Sequence, residues 1–256
     1  MNAARHCRAH SGRTIIERLS TMPTSPVDEQ HTSNISYEVL AVIGGTGPQG
    51  KGLAYRFAAA GHRVIIGSRS AERAIGTATT IAERIGQSNI VGMTNEQACK
   101  EADIVVLAVP FAGHSELVEE LAPFLDGKTV VSCVNPLGFD KHGPYGLTVE
   151  DGSAAEEAQR LVPGARMVGA FHHLSAVTLW GDSETLEHED VLICGNDDHA
   201  KAAVSRLAQH ITGRPGIDAG ALRLARQLEP LTSVLISVNK RHKVTAGIRI
   251  AGLAHV

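Results

Sequence analysis

The run Val39-Leu40-Ala41-Val42-Ile43 ends on Gly44-Gly45-Thr46-Gly47-Pro48-Gln49-Gly50, and no other stretch restricts the fold as strongly. Five consecutive apolar residues without alternation predict a strand covered on both faces, which only helices on two sides of a parallel sheet supply. Beyond the glycines, Leu53, Ala54, Phe57 and Ala58 repeat at helical spacing up to Gly61, a helix stop. Strand, glycine turn and helix in this order, with the spacing Gly45-x-Gly47-x-x-Gly50, predict a turn that grips a dinucleotide. Gly45 permits the tight turn, Gly47 lets the backbone approach a pyrophosphate, and Gly50 lets helix and strand pack closely while helix-start amides face the phosphates.

The second strand decides which dinucleotide. It reads Val64-Ile65-Ile66-Gly67-Ser68-Arg69, and Ser68 and Arg69 stand about 20 residues past the glycines, where an NAD site carries an acid for the ribose 2′-hydroxyl. A hydroxyl and a guanidinium suit a 2′-phosphate dianion instead, so the expected cofactor is NADP. Arg73, four residues on, supplies a second cation if a helix starts there, and Thr46 a donor from the turn. Val109 and Pro110 close the fourth strand at its carboxyl end, where ligands lie in such sheets; with Phe111 they are a candidate apolar wall for the nicotinamide.

The pattern repeats along the chain. Strands are expected at Val39–Ile43, His62–Gly67, Ile90–Gly92, Asp103–Pro110, Thr129–Val134 and Ala165–Ala170, with helices at Ala71–Ile85, Asn95–Glu101 and His114–Leu125. The fold class is therefore α/β, a Rossmann-type doubly wound parallel sheet with a small, mostly helical C-terminal region. A further strand is expected at Val191–Cys194 and a helix at Asp197–Ile211, whereas Asn135–Thr148 and Leu174–His188 read as loops near the cleft. Leu224, Leu228, Leu231, Leu235 and Val238 predict a long apolar helix over Ala219–Lys240, kinked or broken near Glu229 by Pro230. So apolar a helix needs a covering surface, and a homodimer contact is the favoured one. The expected domains are a disordered tail at 1–36, an NADP-binding Rossmann domain at 37–175 and a smaller C-terminal domain at 176–256.

Composition narrows the function classes. A net charge of −3 and 4% aromatic residues argue against nucleic acid as a partner, and no apolar run is long enough to span a membrane. Four dispersed cysteines, Cys7, Cys99, Cys133 and Cys194, without a C-x-x-C pair fit a reducing cytoplasm. No metal site is expected: the histidines are scattered, and neighbours such as His172 and His173 on an extended segment point to opposite faces. The polar first 36 residues lack a secretory signal's apolar core, and Met22 is an alternative start.

The strings VIGGTGPQGKGLAYRFAAAGHRVIIGSR, NEQACKEADIVVLAVP, CGNDD and LEPLTSVLISVN together resemble the NADPH-dependent F420 reductases (F420H2:NADP+ oxidoreductases) from about Val39 to Arg249. The resemblance implies hydride transfer between a nicotinamide and the 5-deazaflavin coenzyme F420. It implies pyrophosphate contacts from Thr46, Gly47, Pro48 and Gln49, and 2′-phosphate contacts from Ser68, Arg69 and Arg73. It also implies a deazaflavin pocket at His172-His173-Leu174-Ser175-Ala176, with a hydrogen bond from His172 and ring-edge contacts from the Leu174 and Ala176 backbones; His172 is the candidate catalytic residue. Phe111, where the family commonly carries Trp or another large residue, and the segment Asp140–Tyr145 depart from the pattern.

Such a reaction makes modest demands, because both reactants carry hydride themselves and the protein need only align them and exclude water. Two rivals remain: an NADP-dependent reductase of an imine or hydroxy acid, with Lys201, Lys240 or Lys243 as proton donor, and a non-catalytic NADPH sensor.

Overall fold

A computed structural model describes residues 38–253. The expectations for the tail, Cys7 and Met22 lie outside the described residues. The order is β1 (Leu40–Ile43), α1 (Pro48–Ala59), β2 (Val64–Ser68), α2 (Ala71–Ile85), β3 (Ile90–Thr94), α3 (Asn95–Glu101), β4 (Ile104–Leu107), α4 (His114–Leu125), β5 (Thr129–Ser132), β6 (Leu137–Asp140), β7 (Gly143–Gly146), α5 (Ala154–Leu161), β8 (Arg166–Gly169), α6 (Ala176–Leu179), β9 (Leu192–Gly195), α7 (Asp198–Thr212), β10 (Ile217–Gly220) and α8 (Ala225–His242).

Eight strands form one sheet in the order β10-β9-β8-β5-β4-β1-β2-β3. The chain starts in the middle at β1, winds outward through β2 and β3, then returns to β4 on the other side. This doubly wound arrangement leaves a crevice at the carboxyl ends of β1 and β4. Strand residues alternate between two cores, as the two-residue pleat requires. Leu40, Val42, Val64, Ile66 and Val106 pack with α1, α2 and α7. Ala41, Ile43, Ile65, Val105 and Leu107 pack with α3, α4, α5 and the start of α8. The Rossmann-type α/β architecture expected from the sequence is present, with a helical C-terminal region.

The C-terminal third holds the differences. β9 pairs antiparallel to β8, and β10 pairs parallel to β9, so the sheet runs on past residue 175. Asn135–Thr148 is not plain loop: it contains the antiparallel hairpin β6–β7, closed by Asp140 Oδ1, which accepts from the amides of His142 at 2.7 Å and Gly143 at 3.2 Å. Helix α5 had no counterpart in the sequence reading; its buried residues are the alanines 154, 155 and 158, too small to register as an apolar stripe. The long apolar helix begins at Ala225 rather than Ala219, because residues 217–220 extend the sheet and Leu222–Leu224 form a 3-10 turn. Pro230 costs α8 one backbone bond without ending it. The preceding Glu229 is 1% exposed, and its carboxylate accepts from the amides of Ala154 at 2.8 Å and Ala155 at 3.0 Å, capping α5.

Candidate active site

The crevice between β1 and β4 opens into a cleft of about 650 Å3. Thr46, Gly47, Ser68, Arg69, Arg73, Val109 and Pro110 line it together. The turn that feeds it depends on two glycines above all. Gly44 has φ +77°, a left-handed conformation open mainly to glycine. A Cβ on Gly50 would stand 2.6 Å from the Gly44 carbonyl oxygen, so only glycine lets α1 start so close to the strand. Gly45 is also crowded, against the Val42 carbonyl and the Ile66 side chain. Gly47 is different: its nearest neighbour would be the Gly44 oxygen at 3.4 Å, leaving its backbone open to a ligand.

The helices whose starts reach the cleft differ in how they are capped. Ser70, Thr94, Ser153 and Asp197 cap α2, α3, α5 and α7 with their side chains. The N-caps of α1 and α4 are Gly47 and Gly113, neither with a side-chain cap, and both line the cleft. Unpaired first-turn amides attract anions, so two such helix ends are directed at one space.

Ser68 ends β2 at 7% exposure, and its Oγ accepts from the Ser70 amide at 3.3 Å. Arg69 and Arg73 are exposed, and neither guanidinium forms a hydrogen bond or ion pair among the described residues. The opposite wall carries Glu116 and Glu120, so the cleft is cationic beside α2 and anionic beside α4. Asn95 adds a carboxamide that is 8% exposed, with Oδ1 buried and unpaired. The sequence reading missed Asn95 and the α4 residues. The signal available was Gly113, a helix start lacking the Ser, Thr or Asp that opens α2, α3 and α7.

The remaining candidates lie elsewhere. Pro48 opens α1 and is exposed, while Gln49 Nε2 donates to the Phe171 carbonyl at 3.4 Å. His172, Leu174 and Ala176 do not line this cleft. His172 is 3% exposed with both ring nitrogens unpaired, and burial first, then His173, pulls its pKa down to about 3. It is neutral at pH 7. Its carbonyl accepts from Asn135 Nδ2 at 3.1 Å and Thr232 Oγ1 at 2.9 Å. Ser132 Oγ and Asn135 Oδ1 are also buried and unpaired, which puts orphaned polar atoms on the segments leaving the carboxyl ends of β5 and β8. Phe171, 1% exposed, holds the left-handed φ of +61°, strain that the surrounding packing sustains. The three lysines of the imine-reductase reading stay outside the cleft: Lys201 pairs with Asp218 at 2.7 Å, and Lys240 and Lys243 are exposed at the end of α8.

The family model for NADP oxidoreductase, coenzyme F420-dependent, matches residues 39–136. The chain is 38% identical to the F420-dependent NADP reductase of Methanocaldococcus jannaschii over 84% of its own length and 98% of the relative's. The chain belongs to this family of F420-dependent NADP reductases. The Methanothermobacter thermautotrophicus reductase is likewise 38% identical, over 84% of this chain and 95% of that one. A crystal structure of a proposed F420-dependent NADP reductase from Arthrobacter sp. FB24 superposes with a TM-score of 0.71 at 26% identity, covering 84% of this chain and 99% of that one.

Proposed function

We propose that the protein transfers a hydride between NADP(H) and coenzyme F420, with the nucleotide in the β1–β4 cleft. The observation that carries this reading is the pair of unpaired guanidiniums, Arg69 and Arg73, beside Ser68 at the end of β2, where an NAD site would carry an acid. The open backbone at Gly47 and the uncapped starts of α1 and α4 support pyrophosphate binding. Val109 and Pro110 provide an apolar surface at the end of β4. The orphaned polar atoms of Ser132, Asn135 and His172 support a second, acceptor-binding region on the segment His172–Ala176.

When bound, the two coenzymes supply the redox chemistry: one hydride moves between them, and reduction of the deazaflavin takes up one proton. The chain's contribution is to hold, orient and keep dry. Arg69, Arg73 and Ser68 bind the 2′-phosphate, and helix-start amides the pyrophosphate. The low pKa of His172 keeps its ring neutral, so it can offer one N–H as a hydrogen-bond donor without adding charge. Buried thiols at Cys99, Cys133 and Cys194 support a reducing, cytoplasmic setting, and no helix among the described residues is long and apolar enough to cross a membrane.

A homodimer belongs to the same reading. Beyond Glu229, α8 buries no residue, although Leu231, Val234, Leu235, Ile236 and Val238 follow. The hairpin beside it adds Phe139 at 69% and Tyr145 at 47% exposure, and Val234 is 53% exposed. Apolar side chains left uncovered on two neighbouring elements support pairing with a second copy. Val234→Glu is expected to shift the sedimentation coefficient from dimer to monomer; an unchanged dimer overturns this interface.

The deciding experiment is anaerobic stopped-flow mixing of the protein with NADPH and F420. The expected result is loss of deazaflavin absorbance and fluorescence with NADPH and far slower loss with NADH. Tight NADPH binding without hydride transfer to F420 overturns the proposal.

A further inference from the structure

Arg56, near the end of α1 away from the nucleotide turn, is 4% exposed and has no carboxylate partner among the described residues. Its guanidinium donates to backbone carbonyls instead: Leu179 at 2.7 Å, Thr178 at 2.8 Å, Glu184 at 3.0 Å and Gly181 at 3.4 Å, and also Ser183. These carbonyls end α6 and form the turn after it. A helix of four residues cannot hold itself, and its last carbonyls need donors from outside. Arg56 caps it from another helix.

Neighbouring contacts reinforce the junction. Arg84 of α2 donates to the Trp180 carbonyl at 2.7 Å and to Asp182 Oδ1 at 2.7 Å. The Trp180 ring has Lys51 Nζ 4.0 Å and Arg84 Cζ 4.3 Å from its centroid, with the Tyr55 ring at 5.2 Å. A Cβ on Gly52 would stand 2.6 Å from Leu179 Cβ, so α1 and α6 meet at near-backbone distance. At the other end of the same segment, Gln49 holds the Phe171 carbonyl at 3.4 Å. One helix thus grips residues 171–184 at both ends, and it is the helix whose start faces the nucleotide.

We propose that Arg56 is a positioning residue for hydride transfer: it fixes the segment His172–Ala176 relative to the nicotinamide through the shared helix α1. This rests on the assignment of that segment to the acceptor. Five carbonyl bonds to one planar group set the segment's distance and tilt together, which a single contact cannot do. Hydride transfer is sensitive to such placement, since a shift of about 1 Å costs on the order of 100-fold.

The test is Arg56→Lys, which keeps the charge but offers at most about three donors. Turnover with F420 is expected to fall about tenfold and the KM for F420 to rise, with the NADPH Kd within about twofold of wild type. Trp180 is the single tryptophan in the chain, so acrylamide quenching of its emission reports the junction directly and is expected to increase. Increased quenching with wild-type kcat and F420 KM overturns the proposal, as does an NADPH Kd that rises in step with the loss of turnover. If Arg56→Lys does not fold, Arg84→Met is the second variant: a raised F420 KM at constant NADPH Kd supports the proposal, and an unchanged KM overturns it. A wild-type protein that binds NADPH but does not reduce F420 strikes the acceptor assignment instead, a failure visible before any variant is made.

Discussion

Four arginines in the first half of the chain are put to two opposite uses. Arg69 and Arg73 stand exposed at the cleft with no partner for their charge among the described residues. Arg56 and Arg84 are turned onto the α6 region, where every named contact of Arg56 is a carbonyl. The first pair keeps its water, and in the proposed function its interaction energy is available to a dianionic ligand. Arg56 has lost its water already, and a buried guanidinium is tolerable only when its donors are engaged, which makes it a fixed spacer, with the half-buried Arg84 beside it. Under the proposed function, the same residue type is a binding element where it is unpaired and a scaffold element where it is saturated.

The sharpest way to break this contrast is Arg69→Ala. The KM for NADPH is expected to rise by one to two orders of magnitude, because a charge-assisted pair contributes on the order of 1.5–3 kcal/mol. The KM for NADH should hardly move, and equal losses in steady-state assays would remove the distinction between the two pairs. Gly50→Ala probes the frame that carries the cleft: a methyl 2.6 Å from the Gly44 oxygen is expected to destabilise the fold by about 1–3 kcal/mol, read as a lower Tm and a lower denaturation midpoint. An unchanged Tm would mean that α1 shifts freely, contrary to its close seating. Arg73→Ala is expected to be milder, a two- to fivefold rise in NADPH KM from a loss of about 0.5–1 kcal/mol, because this cation lies on an exposed helix start.

The buried titratable groups test the contrast through pH dependence. Burial lowers His62 to about 4 and His172 to about 3, so folding favours the neutral ring of each. Stability from these groups is complete above their ordinary value of about 6.5 and is lost as pH falls through 6.5 toward 4 and 3, with about one extra proton taken up by the unfolded chain per histidine. Glu229 acts in the opposite sense. Burial raises its carboxyl to about 7, so stability from that group declines as pH rises from about 4.5 to 7. Urea titrations across pH 4 to 7 should therefore show His172→Leu flattening the acid loss and Glu229→Gln flattening the loss toward neutrality. A slope that neither variant changes would remove both assignments.

What was legible in the sequence follows the strength of its local signals. The glycine turn, the buried strands and the Ser68-Arg69 ending depend on residues close together in the chain, and the cleft they form was readable before the fold. The hairpin β6–β7 was hidden because Gly-Pro-Tyr-Gly reads as coil, and β10 because Ile-Asp-Ala-Gly is too short and polar to read as a strand. Helix α5 buries only alanines, so its periodicity was faint. The burial of His172 and the grip of Arg56 depend on residues more than a hundred positions apart in the case of Arg56 and Leu179, and no spacing rule reaches that far. Glu116, Glu120 and Asn95 fell to the same difficulty, arriving at the cleft from separate crossovers.

The unbroken sheet from β3 to β10 has a consequence for anyone who would cut this molecule in two. A chain ended after residue 175 would strip β9 from Val168 and Gly169 and leave β8 as an open sheet edge, an invitation to stick to its own copies. A soluble fragment ending there is expected to need a substitute for β9 to shield that flank.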